Sequence, residues 1–297
     1  LLSPGAGLIV FGLSESESHG GFGSPIVWLP VVVGFLLVYG FVRHARRAPR
    51  PLIDIGLFRN PAFSAASLTT FMLGGALFGV MIILPLYYQL ARGESALTAG
   101  LLMAPQGLGA AMAMPLAGRL TDRIGGGRVA LVGLVIMTVG TIPFAFVGAH
   151  TPYALLGGLL VVRGFGLGST MMPTMAAAYA SLSREAVPRA TSAINVLRQV
   201  GGSLGTAVLA VVLQHEIATQ VPAGSGAGVG GTLAPLSDAM RVRVAVPLAD
   251  AFAHTFWWAI GMSVLALPAA VVLARTTSRG RAVEQFDEAK APTYEHA

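Results

Sequence analysis

Two apolar runs, Leu97 to Ala117 and Val129 to Gly148, are joined by the hydrophilic stretch Gly118-Arg119-Leu120-Thr121-Asp122-Arg123-Ile124-Gly125-Gly126-Gly127-Arg128, and no other feature restricts the fold so strongly. Neither run contains a charged residue. At about 1.5 Å per helical residue, each is long enough to cross a hydrocarbon layer of about 30 Å. Backbone groups have no water to bond inside lipid, so such runs must close their hydrogen bonds internally as helices. The tether carries three arginines and one aspartate in eleven residues. It therefore belongs on the cytoplasmic side, where short positive loops are retained.

The rest of the composition agrees with a membrane protein. The chain is 54% hydrophobic and 11% charged, far from the roughly 25% charged fraction of soluble domains. Its 38 glycines and 18 prolines lie mostly inside apolar runs, where both are commoner than in soluble helices. The formal charge of +6 is spread over short clusters between apolar runs rather than along one exposed face. Asymmetric loops explain that charge, and no nucleic-acid partner is expected. With no cysteine, disulfides and thiolate metal sites are excluded.

Taken in order, Leu1 to Leu13 is too short to span and has no basic leader segment, so it reads as the end of a helix that begins upstream. Ser14 to Ser24 is an outer loop and Ile26 to Val42 a full span. Arg43 to Pro61 is a basic cytoplasmic linker punctuated by Pro49, Pro51 and Pro61. Further spans are expected at Ala62–Leu90, Leu97–Ala117, Val129–Gly148, Tyr153–Ser181, Ala190–Leu213 and Ala251–Ala274, with Gln214–Asp250 as the longest polar loop. The expected fold is all-α and polytopic, with seven complete spans and one partial one. Residues 1–61 form the entry segment, 62–274 a six-helix bundle and 275–297 a cytoplasmic tail. Fourteen of the nineteen lysines and arginines fall on the inner side of this topology, which puts the C-terminus in the cytoplasm of a plasma-membrane protein. Trp28, Tyr87, Tyr88, Tyr153, Trp257 and Trp258 fall near outer span ends, as an interfacial aromatic belt requires.

Arg163 lies about ten residues into its span, near the bilayer midplane, where a charge costs roughly 2.5–3.5 kcal/mol on the insertion scale. Such a residue is read by default as lining a polar cavity; the alternative is a structural arginine bonded to a neighbouring helix. Arg198 is shallower and can snorkel, and for it both readings stand open. Gly164/Gly168, Gly201/Gly205 and Gly75/Gly79 have the four-residue spacing that lets helix backbones approach closely. Pro85, Pro105, Pro115, Pro143, Pro173 and Pro268 predict kinks. Met171, Met172 and Met175, with Met103, Met112 and Met114, fill core gaps or line an adaptable pocket. No Asp or Glu lies deep in a span, with Glu216 and Asp250 at outer ends. The histidines have no metal spacing, and there is no phosphate loop, nucleophile elbow or paired-carboxylate site, so neither a cofactor, a metal nor an enzymatic activity is expected.

These residues resemble a known family. Gly118, Leu120, Asp122, Arg123, Gly125 and Arg128 match the G-x-L-x-D-R-x-G-x-x-R/K loop of the major facilitator superfamily. Arg163-Gly164-Phe165-Gly166-Leu167-Gly168 resembles its arginine-glycine helix motif, with the glycines one position nearer the arginine. Asn195-Val196-Leu197-Arg198-Gln199-Val200-Gly201-Gly202-Ser203-Leu204-Gly205-Thr206-Ala207 is similar to the penultimate helix of the fourteen-helix drug:proton antiporters, the EmrB/QacA-like branch. Pro51-Leu52-Ile53-Asp54 through Leu57-Phe58-Arg59 is similar to the linker before their ninth helix. The resemblance implies that Leu1–Leu13 ends helix seven, that Ile26–Val42 is helix eight and that the six spans from Ala62 are the C-terminal half-bundle. It implies a gating loop at Gly118, Asp122, Arg123, Gly125 and Arg128, in which Asp122 latches one half against the other. It also implies cavity or coupling roles for Arg163, Asn195, Arg198 and Gln199, and packing roles for Gly164, Gly168, Gly201 and Gly205. The expected function is proton-coupled export of amphipathic drugs or secondary metabolites, in partnership with an N-terminal half-bundle that supplies the titrating acids. The alternative is a membrane scaffold whose helices only pack against partners.

Overall fold

The computed structural model describes residues 25–47, 54–221 and 238–290, with five isolated residues before position 13. Among these the elements are α1 (Pro25–Arg47), a 3₁₀ turn (Ile55–Arg59), α2 (Pro61–Leu86, continued by a π turn, Tyr87–Ala91) and α3 (Ala96–Ile124). There follow α4 (Gly126–Thr141, continued by a 3₁₀ turn, Ile142–Phe146), α5 (Tyr153–Tyr179), α6 (Val187–Gln220) and α7 (Asp238–Lys290). Six stretches, one in each of α2 to α7, are long and apolar enough to cross a membrane. The sequence leads one to expect a seventh in Ile26–Val42. That stretch is helical within α1, but its apolar part among the described residues is Trp28–Leu37, about 15 Å long. Ser14–Ser24 and most of Leu1–Leu13 lie outside the described residues.

Helix starts follow local chemistry. Asp54 accepts from Gly56 N at 2.9 Å and caps the 3₁₀ turn, and Asn60 accepts from Ala62 N and Phe63 N at 2.9 and 3.2 Å at the start of α2. The same Asn60 donates Nδ2 to the Ser181 carbonyl at 3.2 Å, tying the start of α2 to the end of α5. Pro61, at the first position of α2, gives up only an amide that has no helical partner. Ser95 caps α3 through Thr98 N.

Glycine contacts set the helix arrangement. On α2, Gly74 faces the Arg198 carbonyl of α6, and Gly75 faces Gly201 and Gly205. A Cβ at Gly201 would meet the Phe71 backbone. The helix α5 is gripped on two sides: Gly164 and Gly168 abut the Gln106 and Ala110 carbonyls of α3, whereas Gly166 abuts Met137 and Gly133 of α4. Without a hydrophobic force between helices in lipid, such close van der Waals approach is what holds them together. The helix α7 closes the bundle against α2, α4 and α6.

Three expectations give way here. Gln214–Asp250 is not a loop throughout: α6 continues to Gln220 and α7 begins at Asp238. Leu213, Ile217 and Val221 on one helix and Val244, Leu248 and Phe252 on the other are buried in one cluster, an i, i+4 pattern that outweighs the polar residues between them. The polar tail is helical through Lys290. Tyr87 and Tyr88 are fully buried, so they do not belong to a lipid-facing belt, unlike Trp28, Tyr153, Trp257 and Trp258, all at least 36% exposed. Tyr87 instead donates its hydroxyl to the Gly148 carbonyl at 2.8 Å. Nearby, Arg92 donates to the Thr151 carbonyl at 2.7 Å and lies 4.3 Å above the Tyr153 ring. Burial works against the Arg92 charge, but hydrogen bonding and charge interaction with the Tyr87 and Tyr153 hydroxyls leave its pKa raised overall. This clamp joins the α2–α3 and α4–α5 connections.

Candidate functional site

The hydrophilic stretch between the first two runs is almost entirely helical. Gly118 to Ile124 extends α3, and α4 begins at Gly126, so Gly125 alone is the turn. Gly125 has φ 96°, a conformation L side chains rarely adopt. The two glycines that follow serve different contacts: a Cβ at Gly126 would meet the Pro173 carbonyl of α5, and one at Gly127 the Leu273 carbonyl of α7. Reversal in one residue thus requires all three. Asp122, Arg123 and Arg128 are exposed. Asp122 also lines a cleft of about 300 Å³ with Thr121, Gly126, Ala177, Ser181 and Thr277, at the meeting of α3, α4, α5 and α7. Gly118 has open space where a Cβ would sit.

Arg163 is 2% exposed, enclosed rather than facing an open cavity in this conformation. Its Nη1 donates to Gln106 Oε1 of α3 at 2.6 Å, while its Nε has no partner among the described residues. The backbone at Arg163 is pinned from both sides, by Gly140 of α4 and by the Gly164–Gln106 contact with α3.

A different environment surrounds α6. Ser192, Asn195, Gln199, Ser203 and Thr206 recur at three- and four-residue steps, which places them on one face over about 21 Å. The first three are exposed and the last two half-buried. Arg198 beside them donates Nη2 to Asn195 Oδ1 at 2.8 Å. The opposite face carries Gly201 and Gly205 against α2. Ser192 and Ser203 donate to the Pro188 and Gln199 carbonyls of their own helix, but the side-chain amides of Asn195 and Gln199 are costly in lipid and belong against water or another protein surface. The structure therefore joins Asn195 to Arg198, leaves Gln199 on the same open face, and puts Arg163 on a separate helix. Gln106 and Ser192 lie outside the quoted motifs, and Ser203 and Thr206 lie within one without being singled out as site residues, although the polar periodicity of α6 was available to find all but Gln106. Of the methionines, Met112, Met114 and Met172 are at least 50% exposed, and Met103 and Met171 pack against apolar clusters.

The fold agrees with what the chain is similar to. Residues 6–206 match the model of the Major Facilitator Superfamily. A multidrug resistance protein B homolog of Mycobacterium tuberculosis is 36% identical over 269 residues, 86% of this chain and 50% of that protein. The lincomycin resistance protein LmrB of Listeria monocytogenes is 28% identical over 237 residues, 80% of this chain and 50% of its own length. The drug efflux pump JefA of Mycobacterium tuberculosis is 29% identical over 259 residues, covering 85% and 49%. The chain thus spans about half the length of the curated relatives it matches. Among solved structures, a bacterial homolog of the human lysosomal transporter Spinster, inward-facing and occupied, superposes with a TM-score of 0.56 at 17% identity, over 86% of this chain and 57% of that one. With six membrane-length helices and a family match over residues 6–206, the chain is a membrane protein that belongs to the Major Facilitator Superfamily.

Proposed function

We propose that this chain is the C-terminal transport half of a proton-coupled exporter of amphipathic drugs or secondary metabolites, of the fourteen-helix kind, with its C-terminus in the cytoplasm. The observation that carries the reading is the polar stripe of α6, Ser192 to Thr206, left open on a helix that otherwise buries its glycine face against α2. A water-filled cavity shared with an N-terminal half-bundle satisfies that stripe, and a lipid-facing surface does not. Asn195, Arg198 and Gln199 then line the substrate path, and Asp122 with the cleft beside it forms the cytoplasmic latch. No described carboxylate lies deep in a span, so the proton-titrating acids belong to the other half. The relatives named for multidrug and lincomycin resistance support the substrate class.

The test is ethidium efflux from proteoliposomes holding the full-length protein. Export should follow an imposed pH gradient and stop when an ionophore collapses it. Efflux indifferent to the gradient removes proton coupling, and no efflux at all removes the transport reading.

A further inference from the structure

We infer that Gln106 is the positioning residue of Arg163, holding the buried guanidinium through a neutral acceptor so that the arginine can change partners during the transport cycle. The inference rests on the transport reading above. Its basis is the crossing of α3 and α5. There a Cβ at Gly164 would collide with the Gln106 carbonyl, so the two backbones touch without room for a side chain, and the Arg163–Gln106 bond of 2.6 Å spans that contact. Arg163 is 2% exposed, its Nε lacks a partner, and no carboxylate pairs with it among the described residues. A guanidinium carries five donors, and a buried donor left unsatisfied is costly. An arrangement that encloses the charge, gives it an amide oxygen and leaves Nε bare is therefore suited to exchange rather than to permanent anchoring.

Gln106 stands where exchange can occur. It is half-buried, and the next residue, Gly107, has open space where a Cβ would sit. Leu108 beyond it is 63% exposed. Gln106 thus borders the open face of α3 while its side chain reaches inward to α5. A glutamate in its place would form a charge-assisted, bidentate pair, and separating such a pair in a low-dielectric interior is far more costly than breaking an amide hydrogen bond. Neutrality of residue 106 is then a functional property. If the bond were only structural, glutamate would serve as well or better.

Two variants of the full-length protein decide it, Gln106→Glu and Gln106→Met, each assayed for ethidium efflux and for melting temperature. Gln106→Glu should melt at or above the unaltered protein while its kcat falls at least tenfold and its KM stays within twofold. Gln106→Met keeps size and neutrality but removes the acceptor, and it should melt lower and also lose kcat. Unaltered efflux by either variant overturns the inference. A change confined to KM overturns it too, since residue 106 would then contact substrate. If Gln106→Glu does not fold, Gln106→Met decides by efflux: a lower melting temperature with kcat kept within twofold marks a purely structural bond and overturns the inference. Absence of efflux by the unaltered protein overturns the transport reading itself, which separates the two failures.

Discussion

The helices α5 and α6 carry similar sequence signatures, an arginine followed by closely spaced glycines, yet their arginines meet different surroundings. On α5, glycines face both ways: Gly164 and Gly168 toward α3, Gly166 toward α4. Arg163 between them is enclosed, and its guanidinium donates to the Gln106 amide oxygen. On α6 the glycines Gly201 and Gly205 face one way, toward α2, and the opposite face stays open with its polar stripe. Arg198 lies beside that stripe and bonds to Asn195. The lesson is that glycine placement around the helix, more than the presence of an arginine, decides whether the charge is locked in the bundle or left beside an open face.

Substitutions that fill the glycine faces sharpen this contrast most. Gly164→Val or Gly166→Val places a side chain against the backbone of α3 or α4, where no rotamer can yield. We expect a loss of about 3 kcal/mol, read as a drop in melting temperature of the purified protein. Full stability of both would break the picture of α5 as a doubly packed helix. At the other end of the scale, Asn195→Ala on the open face of α6 should change stability by no more than about 0.5 kcal/mol, although it removes a side chain proposed to line the substrate path. A large drop in its melting temperature would mean that the α6 face is structural.

Much of the architecture was legible in the sequence, because charge-free runs of membrane length leave few alternatives to a helical bundle. Glycine spacing at 164/168 and 201/205 was legible as well, since four-residue steps return to the same helix face. What escaped were decisions made by tertiary contact. The hydrophilic stretch 118–128 reads as a loop from its polarity, yet only Gly125 leaves helical geometry, because Gly126 and Gly127 let α4 start hard against α5 and α7. Glu216 falls in the stretch read as a polar loop, but the apolar stripe through Leu213 and Ile217 keeps α6 helical through it. Tyr87 and Tyr88 have the position of belt residues and the burial of core ones. Gln106 could not be found at all by motif, since its significance comes from a partner 57 residues away.

The central claim, that the α6 stripe borders water, is tested most directly by cysteine accessibility, for which this cysteine-free chain is well suited. Single cysteines at Asn195, Gln199 and Ser203 in the full-length protein are compared with ones at Val132, Val139 and Leu265, apolar side chains that are 55%, 56% and 65% exposed. The account predicts that the three α6 positions react with a water-soluble thiol reagent and that ethidium slows the reaction, while the three apolar positions stay unlabelled. Stripe positions as inert as Val132, Val139 and Leu265 would contradict it.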